Sequence, residues 1–167
     1  MSKKLSDICR FADGRIALTN LNTENYISTE NMIPDKGGVI KSSGLPTAVQ
    51  TQAYKKGDIL VSNIRPYFRK IWFADKDGGC SNDVLVFRAT EDTNPQYLYY
   101  LLSSDNFFDY TMTTAKGTKM PRGDKTAIMQ YSIPNMPFHE QVNIANTLSS
   151  LDARIAENTK INHHLVA

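Results

Sequence analysis

Ten consecutive residues hold four cations against one carboxylate: Lys116-Gly117-Thr118-Lys119-Met120-Pro121-Arg122-Gly123-Asp124-Lys125. Two glycines and a proline shape the segment, so it reads as a loop that can lie close to another backbone. Lysine offers a point charge to phosphates. Arginine adds a planar fork that pairs with two acceptors at once. A second run, Asn63-Ile64-Arg65-Pro66-Tyr67-Phe68-Arg69-Lys70, carries three cations and no acid. The chain as a whole has 19 Lys+Arg against 17 Asp+Glu, a net charge of +2, so positive charge is concentrated rather than general.

Catalytic chemistry finds little purchase. There is no Gly-x-Gly-x-x-Gly, no phosphate-binding Walker loop and no Gly-x-Ser-x-Gly. No Asp or Glu stands in an Asp/Glu-x-Lys spacing, the acid-plus-lysine core of metal-dependent nucleases, and no Asn/Asp-Pro-Pro-Tyr/Phe segment occurs. Cys9 and Cys80 belong to no metal or redox spacing and are expected to be buried, reduced thiols. His139 stands alone, and the adjacent His163 and His164 point different ways on a helix, so no metal site is expected. These readings favour binding over catalysis, with no cofactor held by this chain.

The elements that must position the cationic runs fall into two parts. Across 167 residues, 41% hydrophobic and 22% charged, there is sequence enough for one domain with a real core. No apolar run reaches membrane-span length. The lysines at the start precede no apolar stretch, so a cytoplasmic protein without a secretory signal is expected. Residues 1 to about 92 read as short strands and turns, with strands at Ile59-Leu60-Val61, Lys70–Ala74 and Val84-Leu85-Val86-Phe87. The last is an unbroken apolar run, expected to be buried on both faces. Gly37 to Gln52 reads as a loop. Asn94-Pro95 opens a helix with Tyr97, Leu98, Leu101 and Leu102 on one face, and Phe107, Phe108 and Tyr110 begin another turn. These aromatics could stack on single-stranded bases, but helical spacing is the ordinary mark of core packing. Thr126 to Ile133 reads as a short strand, and Ile133-Pro134-Asn135-Met136-Pro137 as a stiff hinge.

Beyond Pro137 the pattern changes. Leu148, Ile155 and Asn162 recur at one position of a heptad, and Ile144, Leu151, Asn158 and Leu165 at the other. A helix lying on its own domain would show a 3.6-residue period. The 3.5-residue period, the long run and the polar Asn in the seam favour a coiled-coil helix that pairs with another helix. About thirty helical residues make a rod of roughly 45 Å.

An ordered set of short motifs runs through the chain: Gly57-Asp58-Ile59-Leu60, Ser62-x-Ile64-Arg65-Pro66-Tyr67, Cys80-Ser81-x-Asp83-Val84, Tyr97-Leu98 to Leu102, and Gly117-Thr118. It continues with Ile133-Pro134, Pro137, Glu140-Gln141, Ile144-Ala145, Leu148, Leu151, Asp152 and Ile155. This set resembles the target recognition domain of the DNA-specificity subunit of type I restriction–modification enzymes. Asn135 and Met136 depart locally from the family pattern. The larger departure is that family members usually carry two recognition domains and two helices, whereas this sequence has one of each. It is either a half-subunit that must dimerise or a fragment of a longer subunit.

The resemblance implies an α+β fold: a β-rich recognition domain over residues 1–136, followed by one spacer and dimerisation helix over 137–167. It implies a non-catalytic chain that reads one half of a bipartite site in double-stranded DNA. Partners would be methyltransferase subunits that modify adenine and, in the full complex, restriction subunits. Placed on this sequence, the candidate DNA contacts are Lys116, Thr118, Lys119, Arg122 and Lys125 in one loop, and Arg65, Tyr67, Arg69 and Lys70 in the other. Arg65 also admits an internal structural pairing. Ser28-Thr29-Glu30-Asn31 and Ser42-Ser43-Gly44 offer polar readout groups that are equally ordinary turn residues. The rod can place two domains on half-sites one DNA turn apart, roughly 34–36 Å. A self-paired chain would read an interrupted palindrome. The competing expectation is a helix-mediated protein-interaction module that does not touch DNA.

Overall fold

The structure, a computed structural model, describes residues 1–167. Nine strands come first: β1 (Ser2–Lys4), β2 (Cys9–Phe11), β3 (Arg15–Ala17), β4 (Tyr26–Ile27), β5 (Gln50–Tyr54), β6 (Ile59–Ser62), β7 (Ile71–Phe73), β8 (Gly78–Cys80) and β9 (Val84–Ala89). Helices α1 (Pro95–Leu102), α2 (Asp105–Thr114) and α3 (Lys125–Met129) follow, then strand β10 (Ser132–Pro134) and the long helix α4 (Phe138–Val166). The α+β expectation therefore holds. No helix is long and apolar enough to cross a membrane.

One four-stranded sheet, in the order β2-β9-β6-β7, forms the centre. Strands β6 and β9 pair antiparallel, with Ile59 opposite Phe87 and Val61 opposite Leu85. Alternate side chains leave a strand on opposite faces. Ile59, Val61, Leu85 and Phe87 therefore pack with Leu98, Leu102, Phe107, Phe108 and Ile128 of the helices. Leu60, Val84 and Val86 pack on the other side with Ile27, Met32, Tyr54 and Cys80. This second core belongs with the outer sheet, β3-β5-β8-β4. The unbroken apolar run at 84–87 is thus buried on both faces, as expected. The outer sheet closes tightly over two glycines: a Cβ on Gly78 would collide with the Asn25 carbonyl and the Tyr54 ring. Both Cys9 and Cys80 are buried, and burial pushes each thiol up to about 12.

Asn94 caps α1 by accepting from the Tyr97 amide at 2.9 Å, and Ser104 caps α2 at Phe107. Tyr97, Phe107 and Phe108 are buried, so the aromatics form core rather than a stacking platform. One local expectation fails. Thr126–Ile133 is not a strand: Asp124 accepts from the Ala127 amide at 3.0 Å and starts helix α3, and only Ser132–Pro134 is extended. Within the stiff segment expected at 133–137, Ile133 and Pro134 belong to β10, which pairs with β1, Lys3 opposite Ile133. The stretch from Gly37 is irregular as expected, but β5 begins at Gln50.

Helix α4 has two halves. Its first turns bury Gln141 and Ala145, and Asp152 accepts from the Tyr100 hydroxyl of α1 at 2.7 Å. From Ala153 onward every residue is exposed.

Candidate nucleic-acid interface

The two cationic segments, far apart in sequence, are joined by main-chain hydrogen bonds. The Arg65 amide donates to the Pro121 carbonyl at 2.8 Å, and the Gly123 amide to the Asn63 carbonyl at 3.2 Å. Lys116 and Arg122 bond reciprocally at 2.9 Å, which pinches 116–122 into a closed loop. Two glycines permit this. Gly117 sits at φ +96°, and a Cβ on Gly123 would come within 2.7 Å of Asn63 Oδ1.

Between the segments lies an open cleft of about 470 Å³. Arg65, Phe68, Lys70, Met120 and Arg122 line it, together with Thr29, Glu30 and Asp83. A neighbouring depression shares Thr29, Glu30 and Asp83 and continues past Ser28, Ser42, Ser43 and Gly44. Most of the polar turn residues singled out in the sequence therefore border one continuous groove. Asn31 does not serve as a readout group. It is buried, accepts from the Ser28 amide, and donates to the carbonyls of Tyr26 and Ile40.

The backbone around the cleft is strained. The only non-glycine residues at positive φ are Asp35, Lys36, Arg65 and Arg69. Arg65 and Arg69 bracket a single 3₁₀ turn, Pro66–Phe68. Asp35 and Lys36 brace that turn by donating to the carbonyls of Phe68 and Arg69. Left-handed backbone at a non-glycine residue costs on the order of 1–3 kcal/mol and clusters at functional sites. The turn presents Tyr67 and Phe68 half exposed, their ring centroids 4.8 Å apart.

The candidate contacts differ in how free they are. Lys119 and Thr118 are exposed and make no side-chain hydrogen bond or ion pair. Arg122 Nη1 pairs with Asp83 at 2.9 Å, yet its side chain remains 55% exposed and can exchange partners. Lys116 pairs with Asp124 at 2.8 Å. Arg69 and Lys36 share Asp105, which Lys36 and then Arg69 hold below the usual carboxylate range. Lys70 donates to the Thr29 carbonyl at 2.8 Å and lies over the Phe68 ring. Arg65 Nε is buried without a partner. Lys125 turns away: it lies over the Phe11 ring and borders a separate depression with Asp13 and Arg15. Sequence reading missed Asp83 as the partner of Arg122, because the pair joins the turn just before β9 to the distant loop.

The Lys116–Asp124 pair makes a local prediction. The Lys116 ammonium, with the Ala127 amide, holds the Asp124 carboxyl below its ordinary 3.8. A lowered folded value means that the pair's contribution is present above the ordinary carboxylate pKa and is lost as pH falls through the folded one. In Lys116→Ala the Asp124 pKa rises toward 3.8, measurable by side-chain carboxyl NMR.

In the expected helix seam, Ile144 and Leu148 are half-buried near α1. Leu151, Ile155 and Leu165 are 48%, 63% and 78% exposed, and Asn158 and Asn162 are exposed beside them.

Comparisons with known proteins agree with this architecture. The Escherichia coli type I restriction enzyme EcoDI specificity subunit is 29% identical over 137 residues, 77% of this chain and 30% of its own length. The HsdS subunit of Thermoanaerobacter tengcongensis superposes with a TM-score of 0.73 at 22% identity, over 96% of this chain and 44% of that one. The type I restriction–modification S subunit of M. genitalium gives 0.64 at 20% identity, over 94% and 40%. The chain thus spans less than half the length of each relative. A family model described as the type I restriction modification DNA specificity domain matches residues 1–166. The chain belongs to the type I restriction–modification DNA specificity domain family, a non-catalytic class.

Proposed function

We propose that this chain is the sequence-specific DNA-binding specificity subunit, or half-subunit, of a type I restriction–modification complex. It reads one half of a bipartite site in double-stranded DNA and docks methyltransferase subunits. Restriction subunits complete the assembly, and the work is done in the cytoplasm. Residues 1–136 recognise DNA, and residues 137–167 space and pair the subunits. The observation that carries this reading is the joining of the two cationic segments across one cleft, through Arg65–Pro121 and Asn63–Gly123. Arg122, which lines that cleft, and the exposed Lys119 of the same loop then reach duplex phosphates and base edges. The strained turn offers Phe68 to the cleft and Tyr67 beside it. The exposed seam from Leu151 to Leu165 supports a homodimer through α4. That observation also suits a pure protein-interaction module.

Salt separates the two readings. Fluorescence anisotropy with duplex DNA is expected to give log affinity falling linearly with log salt, by about 0.9 per phosphate neutralised. A DNA-independent interaction module shows no such slope.

A further inference from the structure

One buried side chain joins the start of the arm to the start of α1. In a capping box the third residue of a helix reaches back to the N–H of the capping residue. In α1 that third residue is Tyr97, which has no such acceptor. The Asn94 amide is satisfied instead from α4: Gln141 Oε1 accepts it at 3.0 Å. The same amide group donates from Nε2 to the Met136 carbonyl at 2.9 Å. Gln141 is 5% exposed, so both bonds are shielded from water. It therefore ties three things together: the start of α1, the linker before α4, and the first turn of α4. Ala145, 1% exposed, lets the two helices approach one turn later, and Tyr100–Asp152 closes the contact near its end. Beyond Asp152 the arm has no further support from the domain.

We propose that Gln141 is a specificity-determining positioning residue: it fixes the angle between the arm and the recognition domain, and through that angle the spacing tolerated between half-sites. The first clause stands on the free chain alone. The second rests on the DNA-reading function proposed above. A rod of roughly 44 Å magnifies small rotations at its root, so a tilt of 10° moves the far end by about 8 Å, more than two base-pair steps.

The test uses the full chain carrying spin labels at Lys56→Cys on the domain and Glu157→Cys on the arm. Both positions are exposed, whereas Cys9 and Cys80 are buried and stay unlabelled. Labelled chain is diluted into unlabelled chain so that only intramolecular distances are read. The parent is expected to give one narrow distance distribution. Gln141→Met, which keeps volume but makes neither bond, is expected to at least double its width. Thr147→Ala, on an exposed face of the arm, should leave it unchanged. A narrow, unshifted distribution in both Gln141→Met and Gln141→Ala would overturn the proposal. Circular dichroism melts check that the domain stays folded. For spacing, duplexes with the mapped half-sites moved by one base pair are compared. The parent should discriminate at least tenfold, and Gln141→Met less than threefold. Equal discrimination overturns the spacing role even where the distances broaden. No salt-dependent DNA binding by the parent instead sinks the function on which that second clause rests.

Discussion

Lys119→Ala combined with Arg122→Ala is expected to weaken duplex DNA binding by about 100-fold, while Lys125→Ala stays within about threefold of the parent. The contrast comes from placement. All three cations belong to one sequence segment, but Arg122 lines the cleft and Lys119 is exposed in the loop closed beside it, whereas Lys125 lies against Phe11. A bidentate arginine contact is worth about 1–3 kcal/mol, and a lost phosphate contact adds to it. Removing Arg122 also leaves Asp83 uncompensated beside the phosphates. Together these effects come to about 3 kcal/mol, or roughly two decades of affinity. Both side chains are exposed, so stability should change by no more than about 0.5 kcal/mol. Parallel anisotropy titrations at fixed salt check the ranking. Equal losses in the double variant and in Lys125→Ala would mean that the segment acts only as diffuse charge.

The largest expected effect on stability comes from Asp58→Ala, at about 3–5 kcal/mol. Asp58 is 2% exposed at the turn before β6. Arg88 of β9 grips it with both forks, Nε to Oδ1 at 2.8 Å and Nη2 to Oδ2 at 2.6 Å. Oδ2 also accepts from the Lys55 amide at 2.8 Å. Removing the carboxylate strands a guanidinium whose side chain is only 23% exposed and frees the turn that starts β6. Replacing both partners, as Asp58→Leu with Arg88→Met, should recover part of the loss, because no charge is left unpaired. Urea unfolding of the two variants gives the comparison. A smaller loss in Asp58→Ala than in the double variant would show that the ion pair contributes little.

Local patterns carried much of this fold. The run Val84–Phe87 announced a strand with two buried faces, and Asn94-Pro95 announced a helix start, because each signal is local chemistry. Thr126–Ile133 misled because its β-compatible residues say nothing of Asp124, whose side chain caps α3 from outside the window. At the site, both cationic segments were legible as residue types. Their union was not, since Arg65–Pro121 and Asn63–Gly123 are long-range main-chain bonds that leave no composition signal. The strain at Arg65 and Arg69 was equally hidden, because nothing in an arginine reports a positive φ. Gln141 stood in the Glu140-Gln141 motif, but its two bonds depend on how α1 and α4 meet.

The most direct test co-expresses the chain with a cognate methyltransferase subunit and maps methylated adenines across the host genome. The expected result is methylation at one bipartite motif, absent without the chain and abolished by Lys119→Ala with Arg122→Ala. A self-paired chain would make that motif an interrupted palindrome. Unchanged methylation with and without the chain, or methylation at a short uninterrupted motif, would contradict the account.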